Sequence, residues 1–210
     1  AKAPEPEDIL HFVLTKFGQS KVLKGKRVLM TAGPTVEKID PVRVITNIST
    51  GKTGTLLASE LVSAGAKVTL VYGPGTAEPP KCKVIPVNTV TEMFNAVKKE
   101  LKKKYDIVIL TAAASDYIPK NSKTKINSKN PLTIKLAKAP KIIDYVKKWQ
   151  KGVFLVGFKA ETNVSQKELV ARSRRKMKES KADLMVGNDI AGSKYTDSNY
   201  NEVILVNSGN

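Results

Sequence analysis

The chain has 210 residues, 36 of them basic against 19 acidic, for a net charge of +17; this length suits one domain with an appendage. At 41% hydrophobic it can bury a core, and no apolar run approaches the roughly 20 residues of a membrane span. One cysteine, Cys82, excludes an internal disulfide and fits a reducing compartment, while one histidine, His11, excludes a histidine triad or a His/Cys metal cluster. The charge favours anionic partners, yet the lysines are spread along the chain and a solvated lysine-rich surface accounts for most of them.

The elements alternate. Pro-rich "AKAPEPE" precedes "DILHFVLTKFG", whose apolar residues recur at helical spacing and stop at Gly18. Residues 1–24 therefore read as a linker and N-terminal helix, and 25–210 as the working domain. "KRVLMTAG" is a buried strand, and "PTVEKIDPVRVITNIST" reads as a long loop with two prolines. "GKTGTLLASELVSAGA" is a helix from near Gly51 to Gly65, followed by the strand "KVTLVYG", a Pro/Gly loop over 73–80 and the short strand "KVIPV". "VTEMFNAVKKELKKK" is an amphipathic helix with Thr91 as N-cap. "YDIVILTAAAS" is a strong buried strand.

Thereafter "DYIPKNSKTKINSKNP" is a lysine-rich loop, long enough to carry function. "LTIKLAK" reads as a strand with one solvated face, and "PKIIDYVKKWQ" as a helix with Pro140 in its first turn. "GVFLVGF", "VSQKELVARSRRKMKES" and "ADLMVGND" are strand, helix and strand, and "NEVILVN" closes the chain. The predicted fold is α/β: a Rossmann-like, doubly wound, mostly parallel sheet with helices on both faces and a small C-terminal β extension.

In such a sheet ligands bind at the carboxyl ends of strands. Three ends are distinctive: "TAGPT" (31–35), "TAAASDY" (111–117) and "GFKAET" (157–162). The helix beginning at "STGKTG" aims its N-terminus at the same edge, where free N–H groups and the dipole favour an anion. "GKT" at 51–53 is only the tail of a P-loop, because Thr46 stands where its first glycine would fall. An NAD(P)-dependent Rossmann oxidoreductase is the alternative suggested by the alternation. Against it, the G-x-G-x-x-G turn is absent, and the second strand ends "VYGPG" without a ribose-binding acid. A basic nucleic-acid-binding module is the third reading, disfavoured by 6% aromatics and no stacking platform.

"TAGPT", "IDPVRVITNISTGKTG", "TAAASDY", "LTIKLAKAPKI", "VGFKAET" and "ADLMVGNDI" resemble, in order, the blocks of the phosphopantothenate–cysteine ligase family of coenzyme A biosynthesis. The resemblance implies that 4′-phosphopantothenate, L-cysteine and a nucleoside triphosphate give 4′-phosphopantothenoylcysteine, with an acyl-nucleotide intermediate and release of pyrophosphate. It implies CTP as cosubstrate, with ATP the alternative, and Mg²⁺ as cofactor with no metal ligand assigned. It further implies a cytoplasmic homodimer with no nucleic-acid or membrane partner. Because the family domain is commonly fused to a flavin-dependent decarboxylase, the leading segment, without an initiator methionine, resembles the connector between two halves.

The same resemblance assigns roles. Asn47 matches the asparagine contacting the activated acyl group, and Arg43 an arginine on phosphopantothenate. Gly33, Ser49, Gly51 and Gly54 match the phosphate region. Thr111, Ala112 and Ala113 lie where nucleotide and acyl group meet, and Asp116 matches an aspartate of the nucleotide site. Lys123, with Lys125 the competing assignment, matches the lysine reaching the triphosphate. Phe158 matches an aromatic near the base, and Ala139 and Pro140 its neighbouring segment, where the family usually has Asn in place of Ala139. Lys176 matches a helix lysine near the nucleotide; Ser180 stands where a second is expected, with Lys181 or Lys178 as substitutes. Asn188 sits at another strand end, within reach of the nucleotide.

Overall fold

The computed structural model describes residues 22–191 and 202–208; the helix expected over 8–18 lies outside them. Seven strands form the main sheet: β1 (Arg27–Ala32), β4 (Lys67–Tyr72), β5 (Lys83–Pro86), β6 (Ile107–Leu110), β9 (Phe154–Glu161), β10 (Leu184–Asp189) and β11 (Ile204–Asn207). Their spatial order is β11-β10-β9-β6-β1-β4-β5. All neighbours run parallel except β11, which is antiparallel to β10. This is the doubly wound order with its switch point between β1 and β6, plus the expected C-terminal β extension as an edge strand.

Apolar strands such as "RVLM" and "IVIL" are buried because helices cover both faces. Helix α1 (Lys52–Ser63) packs Leu57, Ala58 and Leu61 against Val28, Met30 and Leu70 on one face. Helices α2 (Val90–Leu101), α3 (Ile143–Trp149) and α4 (Gln166–Ser180) cover the other, with Met93, Val97, Val146 and Met177 over Leu29, Val71, Val108, Leu155 and Met185. Leu23 is fully buried in the first cluster.

Four expectations change. Residues 34–50 are not a plain loop: β2 (Val36–Lys38) and β3 (Val44–Thr46) pair antiparallel into an arm. Asp40 makes its turn, accepting the N–H groups of Val42 and Arg43 at 2.8 Å each, a local bond that competes with extended backbone. Helix α2 is capped by Thr89, not Thr91: Thr89 Oγ1 accepts from Glu92 N–H at 3.1 Å. The lysine-rich loop opens with β7 (Tyr117–Pro119), and only Leu136–Lys138 of "LTIKLAK" is a strand, β8, paired with β7. Pro140 precedes α3 rather than entering it.

Candidate functional site

The site forms at the carboxyl ends of β1 and β6. Beyond Ala32 and Leu110 the two chains continue side by side. Thr111 N–H donates to Thr31 O at 3.1 Å, Ala113 N–H to Gly33 O at 3.0 Å and Ser115 N–H to Thr35 Oγ1 at 2.9 Å. Thr111 Oγ1 also donates to Thr31 O at 2.7 Å. Residues 31–35 and 111–115 thus make a floor of small side chains.

Helix α1 supplies one wall. Its N-cap, Gly51, is left-handed at φ 82° and offers no side-chain cap; Thr50 Oγ1 accepts from Lys52 N–H at 3.3 Å, which leaves the N–H groups of Thr53 and Gly54 for a ligand. A Cβ at Gly51 would stand 2.7 Å from the Tyr72 hydroxyl. That hydroxyl in turn donates to Ala77 O at 2.5 Å. A Cβ at Gly33, at φ 78°, would meet Gly73 O at 2.8 Å. Ser49 Oγ accepts from Gly51 N–H at 3.3 Å, holding the turn into the helix.

Strands β9 and β10 supply the opposite wall. Leu110, the last residue of β6, pairs with Gly157, so β9 runs on for four residues beyond it, roughly 13 Å of strand. Phe158 lies on this rise, partly buried and beside Val186; Asn188 lies on its neighbour, 6% exposed and beside Ala160. At the top, Glu161 binds Lys159 Nζ and Arg172 Nη1, both at 2.7 Å. The bond from Lys159, against the cost of burial and helped by Arg172, holds its carboxyl below the usual range. Two cations are thereby fixed at the rim.

The arm reaches back over the floor. Asn47 Nδ2 donates to Ala113 O at 3.1 Å and to Ala114 O at 3.3 Å. Asp116 and the 139–141 segment, remote in sequence, meet: Ala139 N–H donates to Asp116 O at 2.9 Å, and Lys141 Nζ lies 2.8 Å from Asp116 Oδ1. Lys123 and Lys125 are exposed in the loop after β7. Arg43 Nη1 donates to Asp40 Oδ2 at 2.7 Å and to Ile126 O at 3.0 Å.

The edge therefore gathers Gly33, Asn47, Ser49, Gly51, Gly54, Thr111, Ala112, Ala113, Asp116, Ala139 and Pro140, with Phe158 and Asn188 on the far wall. Two expected residues stand apart. Lys181 is the C-cap of α4, before the amino end of β10, so about 16 Å of strand separates it from that strand's carboxyl end. Lys176 lies one helical turn further from the rim than Arg172, and its ammonium points to α3, 2.6 Å from Asp144 Oδ1. Lys159, Arg172, Lys141 and Tyr72 had no place among the expected site residues. Arg172 hides in "RSRRKMK", where only the buried stripe Leu169, Ser173 and Met177 distinguishes one cation from the next.

Residues 23–210 match the family described as DNA/pantothenate metabolism flavoprotein C-terminal domain. The coenzyme A biosynthesis bifunctional protein CoaBC of Thermococcus kodakarensis is 47% identical over 208 residues, covering 98% of this chain and 51% of the relative. The chain thus spans about half the length of the curated relatives it matches. Among solved structures, the C-terminal domain of a CoaBC protein is 34% identical at a TM-score of 0.71, covering 90% of this chain and 85% of that one. The DNA/pantothenate metabolism flavoprotein of Streptococcus pneumoniae is 28% identical at a TM-score of 0.79, covering 88% and 90%. The chain belongs to the family of the DNA/pantothenate metabolism flavoprotein C-terminal domain, the domain that forms the C-terminal half of CoaBC proteins.

Proposed function

We propose that this chain joins 4′-phosphopantothenate to L-cysteine, consuming CTP, or ATP in its place, and releasing pyrophosphate. The observation that carries the reading is Asn47. The arm suspends its amide over the carbonyls of Ala113 and Ala114, at the switch point where a doubly wound sheet takes its ligand.

The chemistry follows from charge. A carboxylate must attack the α-phosphorus of a triphosphate, and pyrophosphate must leave. Both partners are anions, so the site must screen them. The first turn of α1 and Lys123 or Lys125 supply that screening, whereas the rim cations Lys159 and Arg172 are balanced by Glu161 and Glu168. Arg43 would contribute to the phosphopantothenate phosphate through Nε and Nη2, which make no hydrogen bond among the described residues. The mixed anhydride is then attacked at its acyl carbon by the cysteine amine, which loses a proton as nucleoside monophosphate departs. Asn47 N–H would turn from backbone carbonyl to acyl oxygen and hold the carbonyl for attack. The small side chains of Thr111, Ala112 and Ala113 leave room for both ligands; Phe158, Asn188, Ala139 and Pro140 would bound the nucleoside. Lys181 and Lys176 have no part in this arrangement.

Among the described residues no three acidic, histidine or cysteine side chains gather into a metal site. Mg²⁺ fits best as an ion carried by the triphosphate, with Asp116 as the carboxylate within the site; Mg²⁺ commonly takes one or two carboxylates and substrate phosphates. Bound there it would neutralise phosphate charge.

A homodimer accounts for apolar side chains left uncovered on the arm and α1: Ile48 is 89% exposed, Val42 62%, Val44 48% and Leu56 45%. No helix among the described residues is long and apolar enough to cross a membrane. The relatives' bifunctional names support a decarboxylase domain as the covalent partner. Pyrophosphate release from the three substrates with Mg²⁺ tests the reading; a folded protein that releases none with either nucleotide refutes it.

A further inference from the structure

The segment bearing Lys123 and Lys125 is tied down at both ends by the arm that carries Asn47. On one side Ser122 N–H donates to Ile39 O at 2.8 Å. On the other, Ile126 is held twice: its N–H donates to Asp40 Oδ2 at 3.1 Å, and its carbonyl accepts from Arg43 Nη1 at 3.0 Å. Between these anchors lie residues 123–125: the Ser122 hydroxyl donates to Thr124 O at 2.7 Å and accepts its N–H at 3.3 Å, and Lys123 and Lys125 are exposed while Ser122 and Ile126 are partly buried.

Asp40 is the hub. Its side chain is wholly buried, and its two oxygens divide the work. Oδ1 accepts the N–H groups of Val42 and Arg43 and closes the arm's turn. Oδ2 accepts Arg43 Nη1 and Ile126 N–H and faces the lysine loop. A buried carboxylate is tolerated only when its lone pairs are met. A loop that merely carried solvated lysines would need no such anchor. We propose that Asp40 is a positioning residue that clasps the Lys123–Lys125 segment to the arm, so that the triphosphate-binding lysines and Asn47 move as one body. This rests on the proposed function only for the identity of the anion.

The division of labour supplies the test. In Asp40→Asn the amide oxygen can still serve the turn, while its NH₂ faces Arg43 and Ile126, two donors, and breaks the clasp alone. Asp40 is buried, so its effect on triphosphate binding must travel through the loop, whereas any effect on phosphopantothenate travels through Arg43. Three readouts apply to the whole chain. Amide hydrogen exchange at residues 122–126 should quicken by about tenfold or more, the scale of losing a hydrogen bond to a charged group. Inorganic tripolyphosphate should bind about tenfold more weakly, a measurement needing no catalysis. The KM for the nucleoside triphosphate should rise by the same factor, with kcat changed less. In a Lys123→Ala/Lys125→Ala background, Asp40→Asn should add nothing to the loss, because coupled residues are not additive.

Ile126→Pro deletes the donor from the loop side and should reproduce the pattern if Asp40→Asn folds poorly. Unchanged exchange at 122–126, or an equal further loss without the two lysines, overturns the clasp. An inert wild type whose tripolyphosphate affinity still falls in Asp40→Asn upholds the clasp and rejects the ligase.

Discussion

Gly54→Ala offers a sign test of the site's architecture. Gly54 lies in the first full turn of α1 and is not left-handed. By helix propensity alone, alanine there should stabilise by about 0.5–1 kcal/mol. The packing says the opposite. A Cβ at position 54 would stand 2.4 Å from Ala32 Cβ and 2.5 Å from Thr111 Oγ1. Ordinary contact between such atoms is 3.5–4 Å, so the first turn must lift by about 1 Å. Overpacking of that kind costs about 1–3 kcal/mol, which outweighs the propensity gain and leaves a net loss of up to about 2.5 kcal/mol. The shift falls on the two floor strands at once, Ala32 at the end of β1 and Thr111 just past β6. Activity should therefore fall more steeply than stability, by about 10²-fold for a displacement of this size. Urea denaturation followed by pyrophosphate release measures both. A Gly54→Ala protein more stable than wild type and fully active would refute the claim that helix and floor meet here to shape the ligand site.

Other expectations are as specific. Asn47→Asp removes both donors to Ala113 and Ala114 and sets a carboxylate against carbonyls; we expect a loss of about 10²–10³-fold in kcat with an unchanged circular dichroism spectrum, Asn47 being exposed. Glu100 is 3% exposed and binds Lys83, Lys103 and the Tyr105 hydroxyl. Burial opposes its ionisation, yet those three partners prevail and hold its carboxyl at about 2. The folded value is depressed, so the stability it contributes is full above the unfolded carboxyl's ordinary value and is lost as pH falls from there through about 2. Glu100→Gln should cost up to about 3 kcal/mol near neutral pH and flatten the acid limb of a thermal-melt series; an unaltered limb would contradict the assignment. Ile48→Asp should leave a monomer by light scattering, and a variant that stays dimeric would place the subunit interface elsewhere.

Much of the scaffold was legible because its signals are local. "RVLM" and "IVIL" announce buried parallel strands, whereas the cap of α2 was placed two residues late, at Thr91, although Thr89 stands three residues before the glutamate whose N–H it caps. Gly51 and Gly54 could be placed at the carboxyl edge of the sheet from the helix they open. What escaped depends on contacts distant in sequence. The arm was missed because β2 and β3 have three residues each, too few for a period-2 pattern, and are held by Asp40 and by Glu37 Oε1, which accepts Val90 N–H at 2.7 Å. Lys176 and Lys181 were expected from the family pattern, which is blind to the Lys176 ammonium turning to Asp144 and to Lys181 ending the helix away from the rim. Arg172 was passed over because six cations in one helix look alike until Glu161 selects one of them. Asp40 sat unremarked in "IDPVR", since nothing in its spacing reports a partner at Ile126.

The most direct measurement is a pyrophosphate-release assay with 4′-phosphopantothenate, L-cysteine and Mg²⁺, run with CTP and with ATP, on the wild type and on Asn47→Asp. The account predicts release with one nucleotide preferred, dependence on phosphopantothenate, and near-silence from Asn47→Asp. Equal release from the variant would remove Asn47 from the chemical step, and none from the folded wild type with either nucleotide would contradict the ligase itself.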